Sequence, residues 1–197
     1  MTKHQTREAW LNDAADYLYT DFIGELGHMK KGETYAVSCG WPSTRSQSTK
    51  HRRIGECWRP QACDDRTTHH IFISPVVGDP VDVLETLLHE LIHAVVGGEC
   101  GHKGAFKRLA LAVGLEGKMT ATVAGEELKK SLTKLAKTLG KYPHSKLTGA
   151  NGRKKQSTRL IKLVAEECCG YVVRTTRKWL DEEGSARCPH GDEMIEA

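Results

Sequence analysis

Long apolar runs, prolines and aromatic residues are all scarce in this chain of 197 residues, with 6 prolines and 6% aromatics. No stretch approaches the roughly 18 consecutive apolar residues of a membrane-spanning helix, so no membrane partner is expected. Residues 1–13 carry Lys3, Arg7 and Glu8 and no apolar centre. A secretory signal is therefore not expected, and a cytoplasmic location is. Nor is there a large excess of one charge: 29 Lys and Arg against 25 Asp and Glu give +4, which does not by itself mark a nucleic-acid binder. The cysteines number 7, so a framework pairing all of them within the chain is excluded, and in a reducing compartment they serve as thiols or metal ligands. An apolar share of 39% excludes a disordered chain and suits one ordinary domain with a small appendage.

Charge and histidine are present in clusters. Lys118 to Lys162 holds twelve basic residues and two acids, Glu126 and Glu127. Arg45, Lys50, Arg52, Arg53 and Arg59 form a second basic stretch with Glu56 its one acid. Trp10, Leu11, Ala14, Leu18 and Phe22 fall at helical spacing, which predicts a helix over 6–23. Thr34 to Cys39 and His69 to Ser74 have strand composition. The polar connection between them, 40–68, suggests a hairpin around Arg53 to Arg59. Asp79 as N-cap and Pro80 at the first position announce a helix running to Val96 and stopped by Gly97-Gly98. Further helices are expected over 103–113 and 124–139. Residues 142–157 read as a linker, and Leu160 to Ala197 as a small β-rich unit.

Residues 89–93 read His-Glu-Leu-Ile-His. Positions four apart share one helical face, so His89 and His93 can present two imidazoles to one metal ion, with Glu90 close enough to reach a coordinated water. Val83, Leu84, Leu87, Leu88, Leu91, Ile92 and Val95 are left to face a core. After the glycine turn, His102 is the candidate third ligand, completing a three-ligand site with an open corner. Cys100 is its rival and Glu99 a weaker one; His69 and His70 read as ordinary strand residues. Three neutral ligands would leave a zinc ion dipositive and suited to activating water, with Glu90 as general base for peptide hydrolysis. A second oxyanion donor is not identified by spacing; Tyr142 and His144 are candidates. The strand around His70 to Ser74 is a candidate edge for pairing with an extended substrate.

His89-Glu90-Leu-Ile-His93-Ala94 and Gly101-His102-Lys-Gly104-Ala-Phe106-Lys-Arg together resemble the SprT-like family, which pairs an HExxH helix with a second helix of that pattern. RRIGECW, IFISP, GLEGKMTATVAGEEL and VVRTTRKWL are most similar to its bacteriophage members, extending the likeness from about Tyr35 to Met194. The resemblance implies an α+β, zincin-like metallopeptidase domain over 1–142, with the HExxH helix on a small mixed or antiparallel sheet. A basic linker over 143–159 and a zinc-ribbon-like β unit over 160–197 follow. Zinc on His89, His93 and His102 and Glu90 as catalytic acid–base are likewise implied, in a host-cell cytoplasm if the chain is of phage origin. Related Spartan proteases digest proteins crosslinked to DNA, which makes DNA-associated proteins one expected substrate.

The C-terminal unit departs from that pattern. Where the family has Cys-x-x-Cys-Gly-Tyr, this chain reads Glu166-Glu167-Cys168-Cys169-Gly170-Tyr171. Its second knuckle, after an Arg-Lys-Trp strand, is Cys188-Pro189-His190-Gly191. Cys169, Cys188 and His190 are candidate ligands of a second, structural zinc ion, with Cys168 or Glu166 completing the set, although adjacent cysteines diverge on an extended chain. A competing expectation is a non-proteolytic DNA-binding module with a vestigial metal site. Lys129, Lys130, Arg153, Lys154 and Lys155 would then face phosphates, and Trp41, Trp58 and Trp179 could stack on bases. The intact trio with Glu90 favours the peptidase.

Overall fold

The computed structural model describes residues 3–48, 50–148 and 160–197. They fall in two compact units, 1–150 and 151–197, both of mixed α+β construction. Among the described residues no helix is long and apolar enough to cross a membrane.

In the first unit, α1 (Arg7–Leu18) is capped by Thr6, whose side chain accepts from the Ala9 N–H, and it buries Trp10, Leu11, Ala14 and Leu18. The expected helix continues to Ile23, but only as a wider π-helical turn from Tyr19. Three strands make one sheet: β1 (Thr34–Cys39), β2 (Gly55–Trp58) and β3 (Thr68–Ile73), in the order β1-β3-β2. β1 runs parallel to β3 and β2 antiparallel to it. On β3, His69, Ile71 and Ile73 alternate with more exposed residues, the period of a strand with one face on a core.

Two expectations fail here. Arg53 to Arg59 does not form a hairpin of its own; it contributes the single strand β2, which pairs with β3. And β3, the candidate for substrate pairing, is the central strand with both edges already bonded, so β2 is an edge instead. Sequence composition marks a strand, but only the pairing order decides which one has a free edge.

The central helix α2 (Pro80–Val96) starts at Asp79, whose carboxylate accepts from the Val81 and Asp82 N–H groups. It ends at Gly97, where φ of +74° is a conformation glycine adopts without strain. A tight turn leads to α3 (Gly104–Ala112), and then to a hairpin absent from the sequence reading, β4 (Leu115–Lys118) with β5 (Ala121–Ala124). Its tip, Met119-Thr120, has none of the Asn-Gly or Asp-Gly signature that marks such turns. α4 (Glu126–Leu139) buries Leu128, Leu132, Leu135 and Leu139, and this narrow stripe leaves Lys129, Lys130, Lys134 and Lys137 exposed.

The chain expected to begin a linker at 143 stays bound to this unit through Leu147. Buried Arg7 donates to the carbonyls of Pro143 (3.0 Å) and Ser145 (3.0 Å), and the Leu147 N–H donates to Pro75 O (2.9 Å). In the second unit β6 (Ile161–Val164) lies between β7 (Val172–Thr175) and β8 (Ile195–Glu196). Leu163, Ala165, Cys188 and Met194 form its small core. The expected Arg-Lys-Trp strand is instead a helix, α5 (Arg177–Glu183), because Thr176 caps Trp179 N–H and Gly184 stops the other end.

Candidate metal centres

One turn apart on α2, His89 and His93 project beside His102, which the Gly97–Lys103 turn returns to them. The Nε2 atoms of His89 and His102 lie 3.2 Å apart, and those of His93 and His102 3.1 Å. Corners of a tetrahedron around zinc, with Zn–N of about 2.05 Å, would be about 3.35 Å apart. Three imidazole lone pairs converging at this spacing repel one another unless a cation or a proton sits among them, so the donor set fits a metal ion. Burial and neighbouring imidazole charge press His89 down to about 4, and burial, His89, His102 and Arg53 press His93 to about 3. Burial and the Arg53 charge lower His102 too. All three are neutral at pH 7, as coordination requires.

Cys100 and Glu99 stay outside the cluster. The Cys100 thiol faces the turn's own carbonyls, Gly97 O at 3.9 Å and Gly101 O at 3.7 Å, and Glu99 is exposed.

Two residues that support the trio come from elsewhere in the chain. Phe106 on α3 is fully buried beneath it, with ring centroids 4.3 Å from His93, 4.9 Å from His89 and 5.0 Å from His102. Thr122 on β5 lies 2.9 Å from His89 Nδ1 through its hydroxyl, an outer hydrogen bond that fixes the ring with Nε2 turned to the centre. No spacing in the sequence signals Thr122, since the hairpin carrying it was not read.

Glu90 is buried, and its side chain packs against the main chain of Gly55 on β2. Burial dominates its carboxyl and raises it to about 8, against the lowering effect of the Arg53 charge and the nearby Cys57 main chain. A divalent cation at the trio would shift it back toward the carboxylate. Ile54 O accepts from Ser74 N–H at 2.8 Å, so Ile54 and Glu56 turn their main-chain groups to β3. By alternation Gly55 and Cys57 present theirs on the other edge, along the Glu90 side.

Neither candidate oxyanion donor is among the residues in contact with the trio. Tyr142 is buried in the core against Trp10 (5.0 Å) and under Arg7 (4.9 Å), and His144 is exposed with φ of +62°. His69 is a buried strand residue bonded to Glu33 Oε2 at 3.0 Å.

In the second unit, Cys168, Cys169, Cys188 and His190 bring ligand atoms within 4.8 Å of one another. Glu166 is not among them; Cys168, 3.8 Å from the Cys188 sulfur, takes that place. The adjacent cysteines converge because they lie in a turn, where Cys169 N–H and Gly170 N–H both donate to Ala165 O, and not on an extended strand. Burial works against ionising Cys188, but the N–H groups of His190 and Asp192 and the two neighbouring thiols bring it down to about 7. Both clusters can therefore hold a metal ion.

Lys130 is occupied by Glu126 (3.3 Å) and Glu127 (2.8 Å), Lys129 is exposed, and Arg153, Lys154 and Lys155 lie outside the described residues. Trp41, Trp58 and Trp179 are partly exposed, with Trp58 Nε1 donating to Glu56. No protein-family model, curated protein or solved structure matches the chain.

Proposed function

We propose that the first unit is a zinc-dependent endopeptidase of SprT-like, zincin-like type, and that the second is a zinc-ribbon-like unit with a structural ion. The observation that carries the reading is the convergence of His89, His93 and His102 beside a buried carboxylate, Glu90, on the same helix. Zinc suits three imidazoles with a fourth corner open, and when bound it supplies Lewis acidity that acidifies water and polarises a peptide carbonyl.

The chain's own residues do the rest. His89, His93 and His102 hold the ion as neutral ligands, and Thr122 keeps the His89 ring in place. Glu90, as carboxylate, takes a proton from the attacking water and delivers it to the leaving amine. Water adds to the carbonyl carbon, the C–N bond breaks, and a carboxylate and an amine result, with no covalent enzyme intermediate. Among the described residues the Gly55 main chain and the Cys57 carbonyl have no partner on the β2 edge, and they orient an extended peptide alongside Glu90 by strand addition. Proteins bound to DNA are the proposed class of target, by resemblance to the Spartan proteases alone.

Glu90→Gln tests the reading. The variant should keep its zinc and lose cleavage of an unfolded protein substrate by on the order of 10²–10⁴-fold, the range of general acid–base catalysis. Undiminished cleavage by a zinc-loaded variant would remove the hydrolytic assignment.

A further inference from the structure

We propose that Arg53 is a specificity-determining residue that binds a carboxylate of the peptide, so that the site selects acidic side chains next to the bond it cuts. The inference rests on the peptide-binding half of the reading above.

Arg53 stands two residues before Gly55, the residue against which Glu90 packs. Two strand residues span about 7 Å, so a peptide paired along β2 passes the Arg53 position within one or two residues of the scissile bond. Its guanidinium is tethered at that point: Nη1 donates to Glu56 Oε1 at 2.5 Å. Glu56 in turn is fixed by the Ser43 N–H (2.8 Å), the Ser43 hydroxyl (2.7 Å) and Trp58 Nε1 (3.0 Å). Burial would raise the Glu56 carboxyl, but the Ser43 and Trp58 hydrogen bonds and the Arg53 charge hold it below the usual range, so the anchor stays ionised.

Such an anchor does not need Arg53 for its own satisfaction, because three other donors already meet its oxygens. Among the described residues the Glu56 contact is the one hydrogen bond made by the Arg53 side chain, out of five N–H donors that a guanidinium carries. The side chain is 47% exposed, while that of Glu56 is 11% exposed. The result is a pre-positioned, half-open fork at the mouth of the site. Its charge reaches Glu90, His93 and His102, in agreement with that position. Arg45, Lys50 and Arg52 lie in the same loop as Arg53, which makes the potential along the approach positive. A planar fork of this kind recognises a carboxylate by paired hydrogen bonds, and a lysine would not reproduce them.

The test uses the full chain carrying Glu90→Gln and loaded with zinc, so that peptide binds without being cut. Two fluorescent peptides are compared by anisotropy, identical except for Glu or Gln at the positions flanking the central residue. The acidic peptide should bind about fivefold tighter, the effect of one half-exposed arginine–carboxylate pair. Arg53→Gln should bring the ratio to about 1 and Arg53→Glu should invert it; Arg53→Lys, which keeps the charge, should restore part of it. Zinc content and circular dichroism check each variant's fold, and the lysine variant carries the test if the glutamine variant is unfolded.

Equal affinities with Arg53 present, a preference that survives Arg53→Gln, or no binding of either peptide by the zinc-loaded chain would each overturn the inference. Cleavage by the wild-type chain is scored separately. A charge preference in binding without any hydrolysis would keep Arg53 and remove the peptidase, whereas hydrolysis without charge preference would do the reverse.

Discussion

Glu90 and Gly55 are in contact across the gap between α2 and β2: a Cβ built on Gly55 would stand 2.5 Å from Glu90 Oε1 and 2.9 Å from its Cγ. The absence of a side chain at 55 is what lets the carboxylate lie directly against the main chain of the strand. Helix and strand are therefore fitted to each other at the atom proposed to move the proton.

Gly55→Ala should for that reason disable the site without emptying it. The added methyl also meets Thr86 Cγ2 at 2.7 Å, so Glu90 has to shift. Zinc content should be unchanged, because no ligand touches residue 55. Cleavage should fall about 10²-fold, the effect of a displacement of about 1 Å at a reacting group. Peptide kinetics together with metal analysis check this, and unchanged kinetics would mean that Glu90 does not act from this position.

Thr122→Val removes the hydroxyl beside His89 Nδ1 while keeping the shape of the side chain. Loss of an outer hydrogen bond to a metal-ligating histidine weakens metal affinity by about 10- to 100-fold. Competition with a chromophoric chelator measures it, and an affinity equal to wild type would leave Thr122 without a role at the centre.

The metal-stripped chain should lose stability toward both acid and base. His89 and His93 lie at about 4 and 3 when folded against an ordinary 6.5, so the unfolded chain takes up their protons first. Their contribution is present above 6.5 and is lost as pH falls through the folded values. Glu90 has the opposite sign: at about 8 when folded against 4.5, its contribution is full below 4.5 and lost as pH rises through 8. Between 4.5 and 6.5 the two histidines outweigh the single carboxyl, so urea denaturation over pH 4–9 should place the metal-free maximum in a narrow window about 6.5. Zinc should raise stability above that window, since it binds the neutral imidazoles and favours the carboxylate.

Cys188→Ser should reduce the zinc bound per chain from two to one and leave the His89 centre loaded. The Cys188 sulfur is shared by the cluster and by the small core of the second unit, so that unit should also become more open to proteolysis. A single zinc per chain in the unaltered protein would exclude the second site.

Much of the first centre is local and therefore visible in the residues alone. A helical period places His89 and His93 on one face, Asp79 and Pro80 start the helix, and Gly97 stops it, because each of these depends on neighbours within a turn or two. The C-terminal unit was less legible: Thr176 and Gly184 cap a helix where a strand was expected, and local turn geometry makes Cys168, not Glu166, the partner of Cys188.

By itself, then, the sequence determined a buried helix that carries two imidazoles and a carboxylate, followed by a turn offering either a histidine or a cysteine. Tertiary structure decided the remainder. It brought His102 and not Cys100 to the pair, made β2 and not β3 an edge, and set Thr122 beside His89 and Gly55 beside Glu90. The reason is that periodicity and capping are properties of adjacent residues, whereas strand order and the close approach of a helix to a sheet depend on how distant segments share one core.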